Sequence, residues 1–222
     1  MSYQWRFDLV LHHLSFLLQG VGATLGVCLI SFGAAMVIGL VAALLRLSRI
    51  RPLRLISQIY VDLIRSTPLL IQLVWIFYAL PLLTGWSLSV METGVVALSL
   101  YGGAYLSEVF RSGINTIDQG QFEAAQAIGL RSDQMWRRII LPQALAIMLP
   151  PITSTFITLV KESSLLSVIG VPELMFQMMA LNTTTFRSLE IFTVGSGIYF
   201  LLTYPIAIGL NALYQRRIAA AT

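Results

Sequence analysis

The chain's one lysine, Lys161, stands between Val160 and Glu162, so no Gly-Lys-Ser or Gly-Lys-Thr loop is available to cradle the phosphates of ATP. Any work drawn from ATP must enter through another chain. The two histidines, His12 and His13, are adjacent, and the single cysteine, Cys28, lies inside an apolar run. That excludes an internal disulfide and leaves no His and Cys set for a metal. Neither a Gly-x-Ser-x-Gly elbow nor a His-Glu-x-x-His helix occurs, so no catalytic residue, metal ligand or bound cofactor is assigned. The remaining candidates are of two kinds. Gln72, Ser99, Tyr101, Thr155, Lys161 and Glu162 sit singly in or beside apolar stretches and suit hydrogen bonding to a polar solute. The polar segment 121–142, between two apolar runs, suits docking to another protein.

Composition sets the elements that must hold these residues. Of 222 residues, 57% are hydrophobic and 11% charged, where about 25% charged is usual in a soluble domain. The chain reads as an all-α integral membrane protein. Residues 14–45 carry no charge, a run longer than the about 20 residues needed to span a bilayer core. It is also too long for a signal-peptide core, and residues 1–13 lack a cationic cluster, so it reads as a retained helix. Arg46, Arg49, Arg51, Pro52 and Arg54 then read as a loop.

A second span is expected at about 60–83, entered through Asp62, Arg65, Ser66, Thr67 and Pro68. A third runs over about 93–110, with Gly102-Gly103 at its centre where helix backbones can approach closely. The fourth, about 144–160, is expected to kink at Pro150-Pro151, and the fifth covers about 192–213. This divides the chain into an external segment 1–18, a transmembrane domain 19–213 and a cytoplasmic tail 214–222.

Five spans place the termini on opposite sides. Eleven arginines (46, 49, 51, 54, 65, 111, 131, 137, 138, 216 and 217) fall on one side, against Arg6, Lys161 and Arg187 on the other. By the positive-inside rule the N-terminus is external and the C-terminus cytoplasmic. The net charge of +4 is spread between apolar runs rather than gathered with aromatics on one face, which gives no footprint for nucleic acid.

Between spans three and four the spacing predicts two short helices at an angle. Glu123 to Ile128 is helix-forming, Gly129 supplies the positive φ that closes a helix, and Ser132 caps a second helix ending before Pro142. Phe122, Ala125 and Ile128 form one apolar stripe at helical spacing, and Met135, Trp136 and Ile139 a second. On periodicity alone this is either a docking hairpin or a helical loop lying on the membrane surface.

Glu-Ala-Ala, three residues, Gly, nine residues, Ile, one residue, Leu-Pro resembles the permease signature of ABC importers, with every fixed position filled from Glu123 to Pro142. Three further segments look like the polar amino acid branch, the histidine, glutamine, arginine, glutamate and opine permeases. They are Leu63-Ile-Arg65-Ser-Thr67-Pro68-Leu69-Leu70-Ile-Gln72, Ala104-Tyr105-Leu-Ser-Glu108-Val-Phe-Arg111-Ser-Gly113, and Lys161-Glu162-Ser163-Ser164-Leu165. That branch often has aspartate and threonine where Glu162 and Ser163 stand.

The resemblance implies the type I ABC importer permease fold in a bacterial cytoplasmic membrane. It implies a second permease subunit, identical or homologous, a cytoplasmic ABC ATPase dimer that holds ATP and magnesium, and an external solute-binding protein delivering an amino acid. Glu123, Ala124, Ala125, Gly129, Ile139, Leu141 and Pro142 would then form the element that couples to the ATPase.

Counting from the span ends places Gln72, Ser99, Tyr101 and the run Thr153–Thr155 near mid-depth and Lys161 and Glu162 near the external mouth. These are candidates for the substrate path, each with ordinary interhelical bonding or interfacial snorkelling as the competing role. Glu108 with Arg111, and Asp62 with Arg65, are spaced for ion pairs. A secondary carrier would need a coupling-ion site and a channel a selectivity ring, and neither explains the 121–142 segment.

Overall fold

A computed structural model describes residues 3–219, with side chains through residue 209, and every regular element among the described residues is helical. A short α1 (Phe7–His12) leads into α2 (Leu14–Leu47), which has no proline and no charge before Arg46. The arginine-rich stretch is mostly not a loop. Only residues 48–50 lie outside helix, and α3 (Arg51–Ser66) begins with Pro52 in its first turn, where a missing N–H breaks no intrahelical bond.

The expected second span is not one helix. Residues 69–84 form α4 (Leu69–Val74), a π turn (Trp75–Ala79) and α5 (Leu80–Thr84), and this stretch meets α3 at a bend of 109°. Pro68 is the cause, because its ring pushes the preceding residue out of the helical region, and Thr67 is extended at φ −118°, ψ 143°. The Gln72 side-chain amide clasps the corner. Its Nε2 donates to the carbonyl oxygens of Ile64 (2.8 Å) and Thr67 (3.0 Å) and to Thr67 Oγ1 (2.8 Å).

The third element, α6 (Val90–Asn115), starts in a capping box. Ser89 Oγ accepts from the Glu92 amide (3.2 Å) and the Glu92 carboxylate accepts from the Ser89 amide (2.8 Å). It lies along α2 at very short range. A Cβ on Gly39 would stand 2.7 Å from Leu106 Cβ, and one on Gly103 would stand 2.7 Å from Ile38 Cγ2. The expected close approach at Gly102-Gly103 is present, whereas Gly22 and Gly26 face open space.

Beyond α6 come α7 (Gln119–Ala127) and α8 (Ser132–Met135), which passes through a π turn (Trp136–Ile140) into α9 (Leu141–Glu162). Pro150 and Pro151 stand inside α9 without ending it. A 3-10 segment (Ser163–Ile169), α10 (Leu174–Thr185) and α11 (Ser188–Ala219) complete the chain.

Glu173, fully buried, caps α10. It accepts from the amides of Met175 (2.9 Å) and Phe176 (2.7 Å) and from Tyr199 Oη (3.0 Å), while Thr24 Oγ1 accepts from the Leu174 amide (3.1 Å). The N-terminal strand of chain is clasped to α11, since Glu190 accepts from Tyr3 Oη and from the Arg6 amide (3.0 Å).

Leu14–Leu47, Ser132–Ile169 and Ser188–Gly209 are each long and apolar enough to cross a bilayer, and the bent pair α3 with residues 69–84 adds a fourth if taken as one span. At 26 residues α6 reaches about 39 Å, but it carries Glu92, Glu108 and Arg111 towards its ends. Residues 220–222 of the expected tail lie outside the described residues, as do the side chains of Arg216 and Arg217.

Candidate functional site

The 119–142 hairpin is built from local signals. Asp118 Oδ1 caps α7 by accepting from the Gly120 amide (2.7 Å). At the other end Gly129 donates to the Gln126 carbonyl (3.0 Å) and Leu130 to the Ala125 carbonyl (3.1 Å), with Gly129 at φ +76°. This is a Schellman closure, and the positive φ expected of Gly129 is met. The next helix begins differently from expectation. Its N-cap is Arg131 rather than Ser132, and the Arg131 amide is taken by Gln134 Oε1 (3.2 Å).

Nor does that helix end before Pro142. The Leu141 amide bonds the Trp136 carbonyl five residues back, so a π turn precedes Pro142. In a regular helix the proline ring would clash with the carbonyl four residues earlier, and the wider turn relieves that crowding. The second arm of the hairpin is thus the root of α9 itself.

Side chains sort cleanly between two faces. Ala125, 1% exposed, packs with Met135 and Ile140 in the core that also holds Phe110, Ala144 and Met148, and Phe122 meets Trp136 edge-on with ring centroids 6.1 Å apart. Ile128 is not part of that inner stripe. It is 73% exposed and joins Gly120, Glu123, Ala124 and Ala127 on the outer face of α7. Glu123 there accepts from Gln119 Nε2 (3.2 Å). Ile139 is half-buried, Leu141 and Pro142 are exposed, and Ile140 between them is buried. The result is a short outward helix face, left exposed by the rest of the described residues and joined through one turn to the root of α9.

A second feature opens between α3, α6 and α9. A cavity of about 360 Å³ is lined by Arg65, Tyr101, Tyr105, Glu108, Ser154, Thr155 and Thr158 among others, and a neighbouring one of about 400 Å³ shares Arg65, Tyr101 and Tyr105 and reaches Glu162. Together they form a trough whose lining is mostly apolar, with these polar side chains set into it. The Arg65 guanidinium lies 5.3 Å from the Tyr105 ring centroid instead of pairing with Asp62, and the Tyr101 ring lies tilted against that of Tyr105, centroids 4.8 Å apart. Glu108 pairs with Arg111 as its spacing suggests, and also with Arg46 of α2 at 2.5 Å. That leaves Arg65 as the trough's cation not engaged by a carboxylate among the described residues.

Of the residues proposed for the path, Tyr101, Thr155 and Glu162 come together here. Ser99 is buried and donates to the Val95 carbonyl of its own helix (2.6 Å), Gln72 is committed to the α3/α4 corner, and Lys161 is exposed away from the trough. Ser154 falls within the 153–155 run expected on the path, whereas Arg65, Tyr105 and Thr158 were not anticipated. The four-residue spacings Tyr101/Tyr105 and Ser154/Thr158 put each pair on one helix face, and that signal was available in the sequence.

The chain as a whole has known relatives. Over 196 residues the chain is 36% identical to the arginine transport system permease protein ArtQ of Bacillus subtilis (strain 168), covering 88% of this chain and 90% of that protein. It is 33% identical over 209 residues to the probable glutamine ABC transporter permease protein GlnM of the same organism, covering 94% and 96%. A crystal structure of an amino acid ABC transporter with histidines superposes with TM-score 0.90 at 31% identity, covering 96% of this chain and 100% of that one. An inward-facing structure of the MetNI methionine ABC transporter, 24% identical, shares the fold with TM-score 0.77. Residues 35–220 match the family described as binding-protein-dependent transport system inner membrane component, and the chain belongs to it as a membrane-embedded permease subunit of an ABC importer.

Proposed function

We propose that this chain is one of two permease subunits, identical or homologous, of an importer that takes up a polar amino acid delivered by an external binding protein. Relatives named for arginine, glutamine and cystine support an amino acid cargo. The observation that carries the mechanism is the fusion of the outer face of α7 to α9 through the Schellman turn and the π turn. Glu123, Ala124, Ala127 and Ile128 dock in a cleft of a partner ATPase dimer, which binds ATP and magnesium. Closure of the ATPase moves α9 as a body, and with it the Thr155 side of the trough. Gly129 fixes the angle between the two arms, and Ile139, Leu141 and Pro142 seat the second arm.

Within the trough, Arg65 receives the substrate carboxylate and Glu162 the ammonium, flanked by Tyr101 and Thr155. Lys161 acts at the external mouth. Five spans, with the bent α3–α5 as the second and α6 as the third, place the N-terminus outside and the C-terminus in the cytoplasm.

The test is uptake by proteoliposomes holding the whole transporter and its binding protein, offered arginine, glutamine, histidine and cystine in turn. ATP-dependent uptake of one or more is expected. Uptake that continues without ATP while a proton gradient is held would establish a secondary carrier instead.

A further inference from the structure

A second groove lies apart from the trough, between α2 and α3. It holds about 370 Å³ and is lined by Val37, Ile38, Val41, Leu45, Ile56 and Tyr60. Its two hydroxyls are already used, since Ser57 Oγ donates to the Ala42 carbonyl and Tyr60 Oη to the Leu100 carbonyl, each at 2.7 Å. Nothing within it answers to a polar ligand. From Val37 to Leu45 the α2 wall runs about 12 Å along the helix axis, which suits a length of hydrocarbon chain.

The end of the groove is charged. Arg49 follows Leu45 by four residues across the end of α2, and Arg54 precedes Ile56 by two, so the connection 48–50 and the first turn of α3, which carry Arg49, Arg51 and Arg54, adjoin the end of the groove. All three are exposed, and none pairs with a carboxylate among the described residues. Arg65, Arg137 and Arg138 also lack an acidic partner among the described residues, whereas Arg6, Arg46, Arg111, Arg131 and Arg187 each have one, so what sets Arg49, Arg51 and Arg54 apart is that they adjoin an apolar groove. Around these guanidiniums the surface is apolar, with Leu47, Ile50, Leu55 and Ile59 exposed. An apolar slot ending at three unpaired cations calls for one molecule with a hydrocarbon tail and an anionic head.

We infer that this is a binding site for an anionic phospholipid, with an acyl chain in the α2/α3 groove and the phosphate held by Arg49, Arg51 and Arg54. The leaflet it comes from follows the orientation proposed above, whereas the site itself does not depend on it.

The purified whole transporter, equilibrated with equal amounts of phosphatidylglycerol and phosphatidylcholine in detergent, is examined by native mass spectrometry. Wild type is expected to retain phosphatidylglycerol over phosphatidylcholine by about tenfold or more. The triple variant Arg49→Gln, Arg51→Gln, Arg54→Gln should bring that ratio close to one with subunit stoichiometry unchanged. Val41→Trp keeps every arginine and fills the groove, and should reduce retention of both lipids. Equal retention of the two lipids by wild type, or an unchanged preference in the triple variant, overturns the site. Cross-linking of a cysteine at position 56 to a partner subunit in place of lipid overturns it as well, by showing the groove to be a protein interface. Uptake is not the readout, so failure here is separate from failure of the transport reading.

Discussion

The hairpin takes its geometry from residues within a turn or two of one another, whereas the trough is lined from α3, α6 and α9, with Arg65 and Glu162 nearly a hundred residues apart in the sequence. In the hairpin every capping bond is local: Asp118 to Gly120, Ala125 to Leu130, Arg131 to Gln134. In the trough the ordering contacts cross between elements, as with Arg65 on Tyr105 and Arg46 on Glu108. A local device fails when one backbone angle fails. A shared wall degrades by degrees as single side chains are lost. The two regions should therefore respond to substitution in different ways.

The largest effect is expected at Gly129. An L residue there is strained by about 1–2 kcal/mol, since φ is +76° and a Cβ meets no neighbouring atom, so the penalty is purely one of backbone. Gly129→Val, a β-branched residue that the left-handed region excludes, should leave the amount of membrane-inserted subunit unchanged, because the spans satisfy their own backbone bonds, yet abolish uptake and weaken ATPase retention. Gly129→Asn, a residue that tolerates the left-handed region, should keep more function than Gly129→Ala. Equal uptake by all three variants would remove the turn from the mechanism.

Next is the outer face of α7. Ile128 contributes nothing to the chain's own core, so Ile128→Glu should leave thermal stability unchanged. If it seats in an apolar cleft, its loss is worth about 1.5–3 kcal/mol of docking, tenfold or more in affinity for the ATPase. Titration of detergent-solubilised ATPase onto the permease measures this directly, and unaltered affinity would move the contact elsewhere.

What could be read from the sequence follows the same division. The helix-closing role of Gly129 and the close approach at Gly102-Gly103 are consequences of residue type, and both are present. The spans were located by apolar run length, which is blind to direction. It carried the second span straight through Pro68, where the chain turns by 109°. The pre-proline restriction at Thr67 was legible, but the Gln72 clasp that fixes the turn is a tertiary outcome. Ile128 was misplaced because helical periodicity was continued into the closing turn, where the chain no longer keeps the helix's phase. Residues 163–185 escaped assignment because Glu173 caps α10 while fully buried, a use of glutamate that no spacing rule flags. For the trough, the sequence supplied single polar residues but not which of them face one another.

The corner offers a third measurement that separates structure from path. Gln72→Leu removes the donor to the Ile64 and Thr67 carbonyls, leaving partly buried acceptors at a cost of about 1–3 kcal/mol. A fall of about 3–8 °C in the melting temperature of the purified subunit is expected, with the apparent affinity of surviving protein for substrate unchanged. A changed affinity without a changed melting temperature would return Gln72 to the substrate path.

The smallest effect is expected inside the trough, at Tyr105. Its ring supports the Arg65 guanidinium, and in a water-accessible cavity a cation–π contact is worth about 0.5–1 kcal/mol. Tyr105→Leu removes the aromatic face while keeping an apolar side chain, so Arg65 loses its rest position without losing its charge. The apparent KM for the amino acid should rise about two- to fivefold, with little change in maximal rate or in ATPase retention. Tyr105→Phe preserves the ring and should stay within twofold of wild type, which separates the face of the ring from its hydroxyl. If both variants lost uptake to the degree of Gly129→Val, the trough would behave as a single cooperative device like the hairpin, and the distinction between a locally fixed coupling element and a distributed path would not hold.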